Sequence, residues 1–367
     1  MRDPRITNLA QILVGYSTKV GDGDTCVIEG PSSAEPLVAA VYEEVLAAGG
    51  HPIVTMSFEE QAAAYYGGAS DAQLEWISPP AKWAAEKSDC RIAIGGDTNT
   101  RQLSQVDPER QTKRQAATRE LMELTMRRAA EGTHRWVYTL FPTNAYASDA
   151  EMSLGEFSDF YFGACLATDG DPLGAWKRAS EECHRLADWI EGRKEVQITA
   201  EGTDIRLGIE GRKFIPCDGE HNMPDGEFFT GPVEDSVEGV VSFHLPAVIG
   251  GREVTGVRFK FEAGKIVDAS AERGEEYLIN LIDTDEGSRR LGELGIGTNY
   301  GIDRGTKDVL LDEKIGGTVH MAVGTSYPES GGENESAVHT DLVCDLRQGG
   351  RIEVDGELLQ ENGKFVV

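Results

Sequence analysis

The 367-residue chain carries 63 Asp and Glu against 35 Lys and Arg, a formal charge of -28, and 40% of its residues are apolar. That length allows two domains with cores of their own. The acid is spread along the whole chain and opposes nucleic acid and anionic membrane as partners.

No apolar run approaches the ~20 residues that a membrane span requires. The N-terminal MRDPRITNLAQ has no apolar signal core, so a cytoplasmic location is expected. Dispersed acid in an otherwise ordinary globular composition predicts a salt-rich cytoplasm, in which self-repulsion is screened, and hence a halophilic source. Cys26, Cys90, Cys165, Cys183, Cys217 and Cys344 are scattered without a CxxC pair. They read as reduced thiols, with neither a disulfide framework nor a zinc knuckle.

In chain order, Arg5 to Val20 places Ile6, Leu9, Leu13 and Tyr16 at helical spacing. Thr25–Gly30 follows as a short buried strand, then a helix from Ala34 to Ala48 that Gly49-Gly50 ends. Pro52–Ser57, Arg91–Gly96 and Trp136–Pro142 read as further strands. Helices are expected around Glu60–Tyr66 and Asp71–Glu86, and over Pro108–Glu131, Ser153–Leu166 and Asp171–Glu191. Strands separated by helices argue a parallel, doubly wound α/β domain over residues 1–192. Its glycine pairs never form GxGxxG or a P-loop, so dinucleotide binding is discounted. From Lys194 the texture changes to alternating segments with Gly at the turns, as in VQITAEGTDIRLGIEG and RIEVDGELLQENGKFVV. Residues 193–367 are therefore expected to form an α+β domain rich in antiparallel strands, with a helix at Glu275–Ile282.

Between the strands of this second half lie three polar islands that carry the residues with chemical potential. HNMPDGEFFTGP, His221 to Pro232, reads as a shaped loop around Glu227. LGELGIGTN, Leu291 to Asn299, sets Glu293 among glycines and apolar residues. The stretch from Leu311 to Leu346 holds Glu313, His320, Tyr327, His339 and Asp341. There TVHMAV and AVHTDLV alternate as strands do, so His339 and Asp341 share a face. A carboxylate in an apolar setting is costly unless a cation or several donors compensate it, and isolated acids with two histidines make an N/O set suited to paired divalent ions. Each residue also has a plain structural reading. Glu227 could accept backbone bonds in a turn, Glu293 could cap a nearby helix or turn, Glu313 could pair with Lys314 or Arg304 on the surface, and Tyr327 could be a core aromatic. His51, His134, His184 and His244 lack companion acids, and His221 is at most a neighbour of the site.

The runs NMPDGEFFTGP, LGELGIGTN, DEKIGGTVHMAVGTSY and NESAVHTD, in this order, resemble the thermophilic-type metalloaminopeptidases, the family of aminopeptidases T and S. GDTCVIEGPSSAEPLVAAVYEEVLAAGGHP, FPTNAYA and MSLGEFSDFYF extend the likeness over nearly the full length. The resemblance implies two adjacent divalent metal ions per subunit (Zn, Co, Mn or Mg) and release of N-terminal residues from peptide substrates. Carried onto this chain, the metal ligands would be Glu227, Glu293, His320, His339 and Asp341. Glu313 would be a further ligand or the general base, and Tyr327 would sit over the reacting carbonyl. The family also implies a homodimer whose paired domains enclose the sites. Two rival readings remain at this stage: another two-metal hydrolase such as a phosphoesterase, and a non-catalytic relative that kept the fold. No GxSxG or Cys-His arrangement offers a nucleophile instead.

Overall fold

The computed structural model describes residues 2–367, which form two compact units. The first comprises residues up to Trp176 together with Gly219–Pro224, and the second Lys177–Asp218 with Asp225–Val367. The cut lies inside the helix Pro172–Ile190, whereas the boundary expected at residue 192 falls just after that helix.

The first unit is built on a parallel five-stranded sheet in the order His51–Ser57, Thr25–Pro31, Cys90–Gly95, Arg135–Leu140 and Asn222–Met223. Four of these are the expected strands. The fifth is a two-residue strand that local patterning could not reveal, held where Tyr161 donates to the Met223 carbonyl and accepts from the Leu140 amide. The first helix is Pro4–Gln11, capped by the Asp3 side chain with Pro at its first position. It runs into a π-helical turn, Ile12–Ser17, so the helix expected to reach Val20 stops earlier. The charged helix Pro108–Ala130 buries none of its residues, consistent with its sparse apolar content.

The second unit packs two large antiparallel sheets and carries a two-stranded one, Ala247–Ile249 with Arg252–Val254. The larger has eight strands, ordered Lys265–Ser270, Arg258–Glu262, Glu238–Ser242, Thr203–Gly208, Glu195–Ala200, Arg351–Val354, Glu357–Glu361 and Lys364–Phe365. The smaller is ordered His339–Asp345, Thr318–Gly324, Leu291–Gly297, Glu227–Thr230 and Ile215–Cys217. One apolar core joins them: Val196, Ile198, Ile205 and Leu207 from the first sheet meet Phe228, Leu294, Ile296, Val319, Met321 and Leu342 from the second. The helix Glu275–Ile282 has the expected bounds and adds Leu278 and Ile282 to that core. All six cysteines are free, and five are buried. No helix among the described residues is long and apolar enough to cross a membrane.

Two expectations are corrected here. LGELGIG is not a polar island but the fully buried central strand of the smaller sheet. Likewise Glu227 does not lie in a loop; it opens the buried strand Glu227–Thr230.

Candidate metal centre

The smaller sheet places the candidate residues by register alone. Its core face carries Phe228, Leu294, Ile296, Val319, Met321, Val323, Leu342 and Cys344. Alternation then sends Glu227, Gly295, Gly297, His320, Ala322, His339 and Asp341 to the opposite face. Across the strands Glu293 stands beside Ala322 and Ala322 beside Asp341, while Gly295 stands beside His320 and Gly297 beside Glu227.

Glu293 reaches that face through an irregularity. Leu291 is a core residue opposite Val323, and simple alternation would put Glu293 on the same side. The register shifts between Leu291 and Glu293, at Gly292. A bulge of this kind re-aims the following side chain, and here it turns the acid out of the core face.

Both imidazoles are held in the same way. His320 Nδ1 lies 3.0 Å from the Glu313 carbonyl, and His339 Nδ1 lies 3.0 Å from the Thr325 carbonyl. A carbonyl can only accept, so each Nδ1 carries a proton and each Nε2 is free to face the acids. His320 Nε2 is 3.2 Å from Glu293 Oε1 and 3.4 Å from Glu227 Oε2. His339 Nε2 is 3.3 Å from Glu293 Oε2 and 3.8 Å from Asp341 Oδ1. Glu293 thus offers one oxygen to each histidine. Donor atoms converge in overlapping groups, each within 4.8 Å: Glu227, Glu293 and His320; Glu293, His339 and Asp341; Glu313, His320 and Asp341.

The electrostatics follow from burial and crowding. Burial pushes Glu227 up to about 8, with Lys314 and His320 opposing the rise. Burial also raises Asp341 to about 6. Glu293 goes the other way: burial opposes it, but hydrogen bonds from both imidazoles hold it down to about 2. The same acids lift His320 to about 10 and His339 to about 9 against the desolvation of their rings. Two buried oxygens, Glu227 Oε2 and Asp341 Oδ1, have no hydrogen-bond partner. Buried carboxylate oxygens without donors are costly, and imidazole nitrogens beside them complete the N/O donor set of a divalent ion. The residues present therefore fit a metal.

Tyr327 lies at the edge of this group. Its ring packs edge-on against His339, with centroids 5.1 Å apart, and against Phe229 at 5.3 Å. It is 40% exposed, so it is no core aromatic. Burial of its hydroxyl, and then the nearby acids, raise its pKa, which keeps the phenol protonated. Glu313 does pair with Lys314, but the pair is not on the surface: the lysine is fully buried. Lys314 and Asp225 join the cluster without having been expected. The only sequence signal was charge in otherwise apolar, glycine-rich runs, IGG after Lys314 and MP before Asp225. His221 stacks on Trp136 in the first unit and takes no part.

A family model described as thermophilic metalloprotease (M29) matches residues 2–365. The chain belongs to this family. Aminopeptidase T of Thermus aquaticus is 27% identical over 98% of this chain and 96% of its own length. Aminopeptidase T of Thermus thermophilus is 29% identical over 80% of this chain and 78% of its own. The solved structure of wild-type AmpT from Thermus thermophilus superposes with a TM-score of 0.85 at 25% identity, covering 99% of each chain. A 2,5-dihydroxypyridine dioxygenase structure from Pseudomonas putida shares the fold at a TM-score of 0.60 and 13% identity.

Membership makes the chain a metal-dependent peptidase, and one position tests how tightly its cluster is set. A Cβ on Gly295 would run into the His320 ring. Gly295→Ala is expected to displace that imidazole and lower peptidase kcat/KM by about 100-fold, the scale of a 1 Å misplacement. Unchanged activity in a folded variant would show that His320 is not held where the reaction needs it.

Proposed function

We propose that the chain is an aminopeptidase that releases N-terminal residues from peptides with two divalent ions. Glu227, Glu293 and His320 would hold one ion, and Glu293, His339 and Asp341 the other. The observation that carries this reading is the division of Glu293, with one oxygen facing each histidine, so that one carboxylate would serve both donor groups. Mixed Glu, His and Asp ligation suits Zn, Co, Mn or Mg. When bound, such ions supply Lewis acidity and make water a nucleophile near neutral pH.

The chain's own residues supply the rest. Glu313, whose carboxylate groups with His320 and Asp341, takes the proton of the attacking water and returns it to the leaving amine. The Tyr327 hydroxyl, kept protonated, donates to the developing oxyanion. Five carboxylates (Asp225, Glu227, Glu293, Glu313 and Asp341) crowd around two imidazoles and Lys314. That field favours a cationic amine over a phosphate, which weighs against a phosphoesterase. The homodimer, the cytoplasmic location and the saline source belong to the same proposal. Sedimentation and melting in dilute buffer and in molar KCl read the first and last together: a monomer, or a melting temperature indifferent to salt, would contradict them.

The test of exopeptidase action is a panel of short peptides with free and acetylated N-termini, with and without added metal. Free peptides are expected to lose one residue at a time. Acetylation removes the charge that the carboxylates recognise, which costs on the order of 2–4 kcal/mol and slows release by roughly 30- to 1000-fold. Equal cleavage of both forms would rule the reading out.

A further inference from the structure

Cys217, Asp225 and Glu227 also bring donor atoms within 4.8 Å of one another, a spacing that would suit another cation. Lys314 supplies one. Its ammonium lies 3.6 Å from Glu227 Oε1 and 3.9 Å from Asp225 Oδ1, and it donates to Glu313 Oε1. The lysine is completely buried, and the Asp225 and Glu227 side chains are only 2% and 7% exposed. A buried ammonium is tolerated only when acids face it, and this one has three.

The contact divides Glu227. Oε1 faces Lys314, whereas Oε2 is buried without a donor and lies 3.4 Å from His320 Nε2. We propose that Lys314 is a positioning residue that engages one oxygen of Glu227, leaving the other as a single donor toward the ion shared with Glu293 and His320. The proposal rests on the two-ion reading above. Asp225 repels Glu227, and the ammonium between them holds both in place. The same ammonium takes one oxygen of Glu313, so a single cation fixes the orientation of two acids at the site. Without it, Glu227 is free to turn both oxygens to one ion or to swing away from Asp225.

The test is calorimetric titration of Zn²⁺ or Mn²⁺ alone into chelator-treated protein, without substrate. Wild type, Lys314→Met and the double variant Lys314→Met/Asp225→Ala are compared, with circular dichroism as a check on folding. Lys314→Met is expected to weaken one of two ions by roughly 10- to 100-fold, the usual cost of losing a group that orients a ligand. The double variant removes opposite charges together and restores the charge balance of the buried site. It should remain as weak, because nothing engages Glu227 Oε1; it also decides the matter if the single variant does not fold. Recovery of wild-type affinity in the double variant would overturn the proposal, since Lys314 would then serve charge balance alone. Tighter binding or an additional ion in Lys314→Met would overturn it as well. A wild type that takes up one ion contradicts the two-ion reading, yet that ion must still weaken in Lys314→Met, and unchanged affinity again overturns the role of the lysine.

Discussion

Glu293→Gln is expected to abolish turnover, with a loss on the order of 1000-fold or more, because one change removes charge from both halves of the site. Its two oxygens lie 3.2 Å and 3.3 Å from the Nε2 atoms of His320 and His339. An amide of the same shape keeps one acceptor and replaces the other with a donor. The substitution is conservative in volume, so the buried strand Leu291–Gly297 should persist and far-UV circular dichroism should be unchanged. Activity within twofold of the parent would remove Glu293 from the site.

The second large effect concerns metal removal. Chelation should eliminate peptidase activity, and adding back divalent ions should restore it. Proton release accompanies the reloading. In the metal-free protein the neighbouring acids hold His320 up to about 10 and His339 up to about 9. Both rings are therefore charged at pH 7, and each must lose its Nε2 proton to accept an ion. About three protons per chain should leave on loading, two from the imidazoles and one from Glu227, which burial holds at about 8, read from calorimetry in buffers of different ionisation enthalpy. The sign for stability follows from raised folded values. The contribution of these imidazoles to the metal-free protein is fully present below the ordinary value of 6.5 and fades as pH rises through 9 to 10. Metal loading favours the neutral rings, so the gain in melting temperature on loading should grow from pH 6 to pH 9. A gain that shrank over this range would contradict the site.

Much of the fold was legible because it rests on local pattern. Apolar residues at helical spacing and short buried strands marked the parallel sheet, and His339 and Asp341 share a face through simple alternation. The fifth strand of that sheet, Asn222–Met223, was not legible, because two residues carry no period and their pairing with Tyr138 and Thr139 is long-range. The central strand Leu291–Gly297 was mistaken for a polar island between strands for a physical reason. After the bulge its site face carries Glu293, Gly295 and Gly297. The side-chain-free position at 295 leaves room for the His320 ring. A strand emptied to make room for a neighbour has the composition of a turn. Lys314 was read only as a surface partner of Glu313, as a lysine beside a glutamate usually is; its burial is set by partners, Asp225 and Glu227, that lie far away in sequence.

Behind both effects lies one proposed centre with two ions. Anomalous diffraction from crystals of the manganese- or zinc-loaded protein measures this most directly. Two peaks per chain are expected, one beside Glu227 and His320, the other beside His339 and Asp341, with the Glu293 carboxylate between them. A single peak, or peaks remote from Glu293, would contradict it.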